Sequence, residues 1–277
     1  MNTAIVKTVN SKSRKKIVLF PVYIGIILTV MYVPIILVVV FSFNQSRLTS
    51  VWDGLTLAWY FELFRDRTMF TALRNSFVLA ILASSLAALL GTLGAAGMAR
   101  VRTLSNSVSG VHRSMEFLSI LPIMMPEIVL AIIFLAFFSL LSLPQGMLTL
   151  LIAHTTFCMP YPYLLVRGRL SGLDKSYVEA ARIMGAGEFR AFYDVTLPLM
   201  LPAVISGMLI SFAMSFDDFV ISSFVAGVNT STLPLLIYSN LRTGITPKIN
   251  AMCSLLFVLT IILCSISMLL TSYNKKR

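Results

Sequence analysis

Apolar residues in this chain come in long runs rather than at alternating positions. Six stretches, at about 17–43, 72–99, 115–141, 147–166, 200–226 and 249–271, carry few charges. A helix rising 1.5 Å per residue needs about 20 such residues to cross a hydrocarbon core about 30 Å thick. The pattern predicts an all-α membrane protein with six transmembrane helices. Only "LSLPQG" (Leu141 to Gly146) divides the third run from the fourth, and its Pro and Gly suit a tight turn. Two prolines, Pro122 and Pro126, interrupt the third run, with Glu127 directly after. Each proline removes a helical hydrogen bond, so this span is expected to kink or break, and broken backbone at that depth is tolerated where it lines a cavity. Glu127 is expected to face that cavity.

Composition agrees with the runs. Of 277 residues, 57% are hydrophobic and 12% charged, against about 25% charged in a soluble domain. The net charge of +11 first suggests nucleic acid, but the placement of the basic residues explains it otherwise. With the N-terminus inside, sixteen Lys and Arg fall in inside segments and six in outside ones. That is the asymmetry of the positive-inside rule. Both termini are therefore expected in the cytoplasm, and nucleic-acid binding drops out. No cleavable signal is expected, because the first run is too long for a signal core and lacks a small-residue cleavage pattern. Cys158, Cys253 and Cys264 lie far apart in apolar segments and read as small hydrophobes.

Gly91, Gly94 and Gly97 recur every third residue in the second run. No strand precedes them and no GK[ST] follows, so they read as close-packing positions between helices rather than a phosphate loop. His112 and His154 have no partner at metal-ligand spacing, and no nucleophile motif is present, so neither a metal site nor an enzyme is expected.

The longest inside loop, about 167–198, reads "RGRLSGLDKSYVEAARIMGAGEFRAFYDVTLP". Ser176 and Glu179 have the spacing of a capping box, predicting a short helix from about Tyr177. Gly185 stands where a helix C-terminus turns into the left-handed region. A second short helix is predicted over about 188–194, ending before Leu197-Pro198. Two short helices with a glycine bend suit docking into a groove on a soluble partner; on local physics alone, a plain connection with Glu179 as its cap is the equal alternative. The stretch Glu179, Ala180, Ala181, with Gly185 four residues on and Leu197-Pro198 at the close, resembles the EAA loop of ABC importer permeases. Val195 stands in place of the usual isoleucine. The resemblance implies a type I importer permease fold over 17–271, a basic cytoplasmic segment 1–16 and a cytoplasmic tail 272–277. It implies docking of this loop on ATPase subunits, two per complex, through Glu179, Ala180, Ala181 and Gly185. The chain has no G-x-x-x-x-G-K-[ST], so ATP and Mg are expected on those subunits, with no cofactor here. Further implied partners are a second permease (a heterodimer), an extracytoplasmic substrate-binding protein and membrane lipid.

With Glu116 at an inner interface, Glu127, Asp217 and Asp218 are the acidic residues left within the predicted spans. A carboxylate near a bilayer centre costs about 2.5–3.5 kcal/mol on insertion scales, and no Lys or Arg lies at comparable depth. The three are candidates for a cation pathway. The alternative is that the two aspartates are a hydrated helix end. "SFDDFVISSFVAG", the following "STLPLLIYSNLRTGITPKINA", the first outside region and "PEIVLA" together resemble the polyamine (putrescine/spermidine) branch of these permeases, across nearly the whole chain. Lys248 departs from that branch, where an acidic residue is usual. Another organic cation or a metal complex as passenger, or an ion-gradient-driven transporter, are the alternatives.

Overall fold

The computed structural model describes residues 3–46, 51–104, 109–174, 176–228, 230–244, 246–258 and 261. Among the described residues the regular structure is helical, with one isolated antiparallel bridge, Asn44 to Leu55. In order the helices are α1 (Thr3–Phe41), α2 (Ala58–Arg65), α3 (Arg67–Leu104), α4 (Ser109–Met124), α5 (Glu127–Leu140), α6 (Met147–Cys158) and α7 (Pro160–Ser171). They continue with α8 (Ser176–Ile183), α9 (Glu188–Ala191), α10 (Leu197–Asp217), α11 (Val220–Val225), α12 (Leu233–Thr243) and α13 (Pro247–Val258). Four stretches are long and apolar enough to cross a membrane: Pro21–Phe41, Arg67–Arg100, Met147–Ser171 and Glu188–Asp217. A fifth is the pair Arg113–Met124 and Glu127–Leu140, bent by 109°. The sixth predicted span, 249–271, is described only in its first part, and the tail 272–277 lies outside the described residues.

The chain divides into two compact units, Met1–Arg67 with Ser239–Arg277, and Thr68–Tyr238. In the first, α1 exposes apolar side chains all round, among them Val22, Ile26, Val30 and Ile36. A helix that is apolar on every side belongs in lipid. After α1, Asn44 organises the loop that leads to α2: its Nδ2 donates to the Val51 carbonyl, and its Oδ1 accepts from the amides of Ser46 and Asp53. Lys248, at the start of α13, donates to Glu62 of α2 and pairs with Asp66, each at 2.9 Å.

In the second unit α10 packs along α7 through a glycine. A Cβ on Gly207 would lie 2.5 Å from the Pro162 Cα, so only glycine permits that approach. Gly91 of α3 meets the same turn: its Cβ would fall 2.8 Å from the Tyr163 amide nitrogen. Gly94 has ordinary contact distances and Gly97 faces open space. The close-packing reading of the glycine series therefore holds at Gly91 and not at Gly97. Beside this contact Leu79, Leu130, Phe138, Leu150 and Ile221 form a dry core.

Two sequence expectations fail in instructive ways. The second short helix of the inside loop does not stop before Leu197-Pro198. It runs on from Glu188 to Asp217 through a π-helical turn at Phe192–Thr196. There the Leu197 amide bonds to the Phe192 carbonyl. That five-residue step shifts the hydrogen-bond ladder just ahead of Pro198, which has no N–H to give. The fifth span is not one helix over 200–226. It breaks at Asp218 and Phe219, between α10 and α11.

Candidate functional site

Two interrupted helices meet around α6. The first interruption is the predicted one. The chain leaves α4 at Met124, and Pro126, in an extended conformation, starts α5 with Glu127 in its first turn. A carboxylate there faces the positive end of the helix dipole. The second interruption lies at the aspartate pair. Asp217 is the last residue of α10, and Asp218 is extended, with ψ 124°. Its Oδ1 accepts the Ile221 amide at 3.1 Å, while Oδ2 accepts the Ser222 amide at 2.8 Å and the Ser222 hydroxyl at 2.8 Å. Asp218 is thus the cap of α11. A short acidic side chain competes for local amides and ends a helix where it finds them.

Asp218 is not left uncompensated, as the absence of Lys and Arg from the spans suggested. His154 of α6, fully buried, places Nε2 3.3 Å from Asp218 Oδ2 and 3.2 Å from Ser222 Oγ. Its Nδ1 lies 2.8 Å from Ser215 Oγ, on the last turn of α10. Counting donors places one proton: the Ser222 hydroxyl is spent on Asp218, so Ser222 Oγ accepts from His154 Nε2–H, and Nδ1 shares the remaining hydrogen bond with the Ser215 hydroxyl. Every polar atom of the set is matched, as buried groups must be.

The three carboxylates singled out in the sequence do come together, in unequal surroundings. Glu127, at the start of α5, lies near the break that carries Asp217 and Asp218, and α5 packs against α11. Glu127 and Asp217 are exposed on this chain, whereas Asp218 is 5% exposed. The hydrated-helix-end alternative does not describe Asp218, which is dry and fully bonded. Sequence reasoning missed His154, Ser215 and Ser222. The signal available was a set of polar residues at helical spacing within apolar runs, Ser211 and Ser215 on one face and His154 far away in the chain.

The segment from Asp174 to Asp194 has its own geometry. The first-turn amide of α8 is capped by Asp174, which accepts the Ser176 N–H at 2.9 Å, rather than by Ser176 itself. That amide and the Ser176 hydroxyl hold the Asp174 carboxyl below its ordinary value. At the other end the Ala186 amide bonds to the Ala181 carbonyl and the Gly185 amide to the Arg182 carbonyl, both at 3.0 Å, with Gly185 at φ +87°. This is the Schellman termination predicted for Gly185. Glu188 pairs with Arg100 and Arg182, and Arg190 with Asp194. Glu179 and Ala180 are exposed, and among the described residues Glu179 has no ion-pair partner. Ile183, Met184 and Phe189 project their apolar side chains, each more than four-fifths exposed. No group of three potential metal ligands occurs among the described residues.

Residues 98–277 match the family described as "Binding-protein-dependent transport system inner membrane component". The chain belongs to that family, the membrane permeases of ABC importers. It is 39% identical over 253 residues to the spermidine/putrescine transport system permease protein PotC of Haemophilus influenzae, covering 91% of this chain and 96% of that one. It is 39% identical over 234 residues to the putrescine transport system permease protein PotI of Escherichia coli K12, covering 82% of each. Among solved structures it resembles a chain of a bacterial ABC transporter involved in import of the acidic polysaccharide alginate. The TM-score is 0.72 at 18% identity, over 93% of this chain and 96% of that one. A chain of the MetNI methionine ABC transporter gives a TM-score of 0.61 at 15% identity, over 77% and 95%. These two likenesses speak for the fold. The protein is a multi-pass inner-membrane permease, and in this family ATP hydrolysis belongs to a separate subunit.

Proposed function

We propose that this permease carries polyamines, putrescine or spermidine, inward through a path it forms with a second, similar permease. The observation that supports this most is a pair of exposed carboxylates, Glu127 and Asp217, each at a helix break, with the buried Asp218 next to the second. A polyamine brings ammonium groups spaced along a flexible chain, so separate carboxylates can each take one. Charge-assisted hydrogen bonds of this kind contribute about 1.5–3 kcal/mol each. Identity of 39% to permeases named for spermidine and putrescine transport supports the same passenger.

On the other face, the exposed Glu179, Ala180, Ile183, Met184 and Phe189 around the Gly185 bend supply an apolar knob with an exposed carboxylate. That chemistry suits a groove on a cytoplasmic ATPase subunit, of which two would serve the permease pair. Both termini are cytoplasmic in this reading, and a substrate-binding protein delivers the passenger from outside. The Lys248 departure is compatible with a cationic passenger, because Glu62 and Asp66 already neutralise its ammonium.

The test is uptake by the reconstituted complex of labelled putrescine in competition with spermidine, amino acids and other organic cations. Competition by spermidine but not by amino acids is expected. Equal competition by amino acids, or uptake that survives ATP depletion, overturns the assignment. Cysteine accessibility that places Ser176 outside overturns the orientation.

A further inference from the structure

The unit Thr68–Tyr238 holds two dry cores, whose buried members share no helix besides α3. One joins Leu79 and Ala87 of α3 to α5, α6 and α11 through Leu130, Leu150 and Ile221. The other joins Ala95 of α3 to Tyr163 of α7 and Met200 of α10, with Ile120 of α4 packed on it. Apart from α3, every chain connection between the two groups of helices is interrupted. α4 ends at Met124 and α5 starts after Pro126. α6 gives way to α7 at Met159, ahead of Pro160 and Pro162. α10 gives way to α11 at Asp218 and Phe219, the two residues there outside any helix. α3 itself passes from one core to the other between Ala87 and Ala95, the stretch that holds Gly91 and Gly94, and glycine weakens a helix interior.

Each group is tied within itself. In the first, Gln145 Nε2 donates to the Phe224 carbonyl at 3.2 Å, Thr149 Oγ1 to the Val225 carbonyl at 3.3 Å, and His154 Nε2 lies 3.2 Å from Ser222 Oγ, so α11 is held on α6 at both ends. In the second, Gly207 of α10 sits against the Pro162 backbone, and Arg169 Nε of α7 donates to the Leu199 carbonyl at 3.0 Å. Between the groups, hydrogen bonds join α6 to α10. Ser211 Oγ donates at 3.1 Å to the Cys158 carbonyl, whose helical donor is missing because Pro162 has no N–H. Cys158 Sγ donates to the Ser211 carbonyl at 3.4 Å, and the Ser215 hydroxyl lies 2.8 Å from His154 Nδ1.

We infer that the two groups are bodies that swing against each other during transport, hinged at Asp218–Phe219 and at the two proline interruptions, and that the Ser211–Cys158 and Ser215–His154 contacts are the ones that part. Packed cores do not deform continuously, so movement goes to the level between them. Hinges are a few residues at element ends that take up the backbone change, and each of the three interruptions supplies such residues. Parting strands no serine donor, because a helical serine can bond the carbonyl one turn back, which is Gly207 for Ser211 and Ser211 for Ser215. His154 then stays with α11 through Ser222 and lets go of α10. The inference goes beyond the choice of passenger and does not depend on it.

The experiment locks one contact of each kind in the reconstituted complex and reads ATP turnover without added passenger, so that failure of the polyamine reading leaves it intact. Across the bodies, Ser211→Cys is joined to the native Cys158 by a short bis-methanethiosulfonate. Within one body, Thr149→Cys and Val225→Cys are joined by the same reagent in a Cys158→Ala background. The lock across the bodies is expected to slow turnover about tenfold or more, with recovery on reduction, and the lock within a body to leave it within about twofold. A Ser211→Cys complex that turns over ATP equally well linked and reduced overturns the inference. Equal arrest by both locks overturns it too. Should the pair across the bodies fail to assemble or link, Ser215→Ala decides. Loss of that bond frees the swing and should raise turnover about threefold or more. Ser84→Ala is the control, since that hydroxyl bonds the Ile81 carbonyl of its own helix, and it should change nothing. A structural role alone would lower turnover in Ser215→Ala together with the melting midpoint, and that result, or an unchanged rate, overturns the inference.

Discussion

Neutralising the two adjacent aspartates should have opposite consequences. Asp218 accepts two backbone amides of α11 and the Ser222 hydroxyl while nearly dry. In Asp218→Ala the hydroxyl can turn to another acceptor, but the amides of Ile221 and Ser222 cannot. A buried donor left unmet costs about 1–3 kcal/mol, so two cost roughly 2–6 kcal/mol. Against a total stability of about 5–15 kcal/mol this is a large fraction. Asp218→Asn keeps one acceptor oxygen and should lose about half as much. Asp217 is exposed, and its amide replacement disturbs no such set, so its effect on stability should stay within about 0.5 kcal/mol.

Transport should show the reverse order per unit of stability lost. If Asp217 meets an ammonium, Asp217→Asn removes a charge-assisted bond of about 1.5–3 kcal/mol. At about 1.4 kcal/mol per decade this slows putrescine uptake roughly ten- to hundredfold, with Glu127→Gln similar or smaller. The assay pairs the thermal unfolding midpoint of the detergent-purified complex with uptake in proteoliposomes made from the same preparation. Asp218→Asn should lower the midpoint by several degrees, whereas Asp217→Asn and Glu127→Gln should leave it in place and lose uptake. An Asp218→Asn complex with wild-type melting that loses uptake as Asp217→Asn does would refute the division of roles. Wild-type uptake in all three variants would refute the cation path itself.

Gly207→Ala forces a Cβ against the Pro162 backbone, which cannot rotate away. A loss of about 1–3 kcal/mol is expected, read as a lower melting midpoint, with Gly97→Ala neutral as the control. Gly185→Pro and Glu179→Arg should leave membrane insertion intact but abolish substrate-stimulated ATPase activity; normal stimulation in both would contradict the docking role of the loop. The pH dependence at Lys248 has a definite sign. Burial works to lower the Lys248 value, yet hydrogen bonds and charge from Glu62 and Asp66 raise it above the ordinary lysine value. The stability this gives is present below about pH 10.4 and is lost as pH rises through the raised folded value. Lys248→Met should remove that alkaline loss from the melting-versus-pH curve, and an unchanged curve would show the pair contributes nothing.

The long runs of apolar residues made the spans legible, because length and lack of charge are local properties of sequence. The break before Glu127 was legible for the same reason: proline lacks a donor wherever it stands. The break at Asp218 was not. It depends on two amides and a hydroxyl supplied by α11, and nothing in a run such as "MSFDDFVISS" says which residue will find them. The continuation through Pro198 was hidden likewise, since a π-helical turn has no sequence period of its own. Hardest of all was the counterpart of Asp218. His154 lies more than sixty residues away and, judged by spacing to other ligands, looked idle. Three-dimensional proximity changes what the adjacent aspartates mean. One is matched within the chain by His154 and the α11 amides, so no passenger is needed to explain it. The other, with Glu127, stays exposed at a helix break, and it is there that a cationic passenger has chemistry left to satisfy.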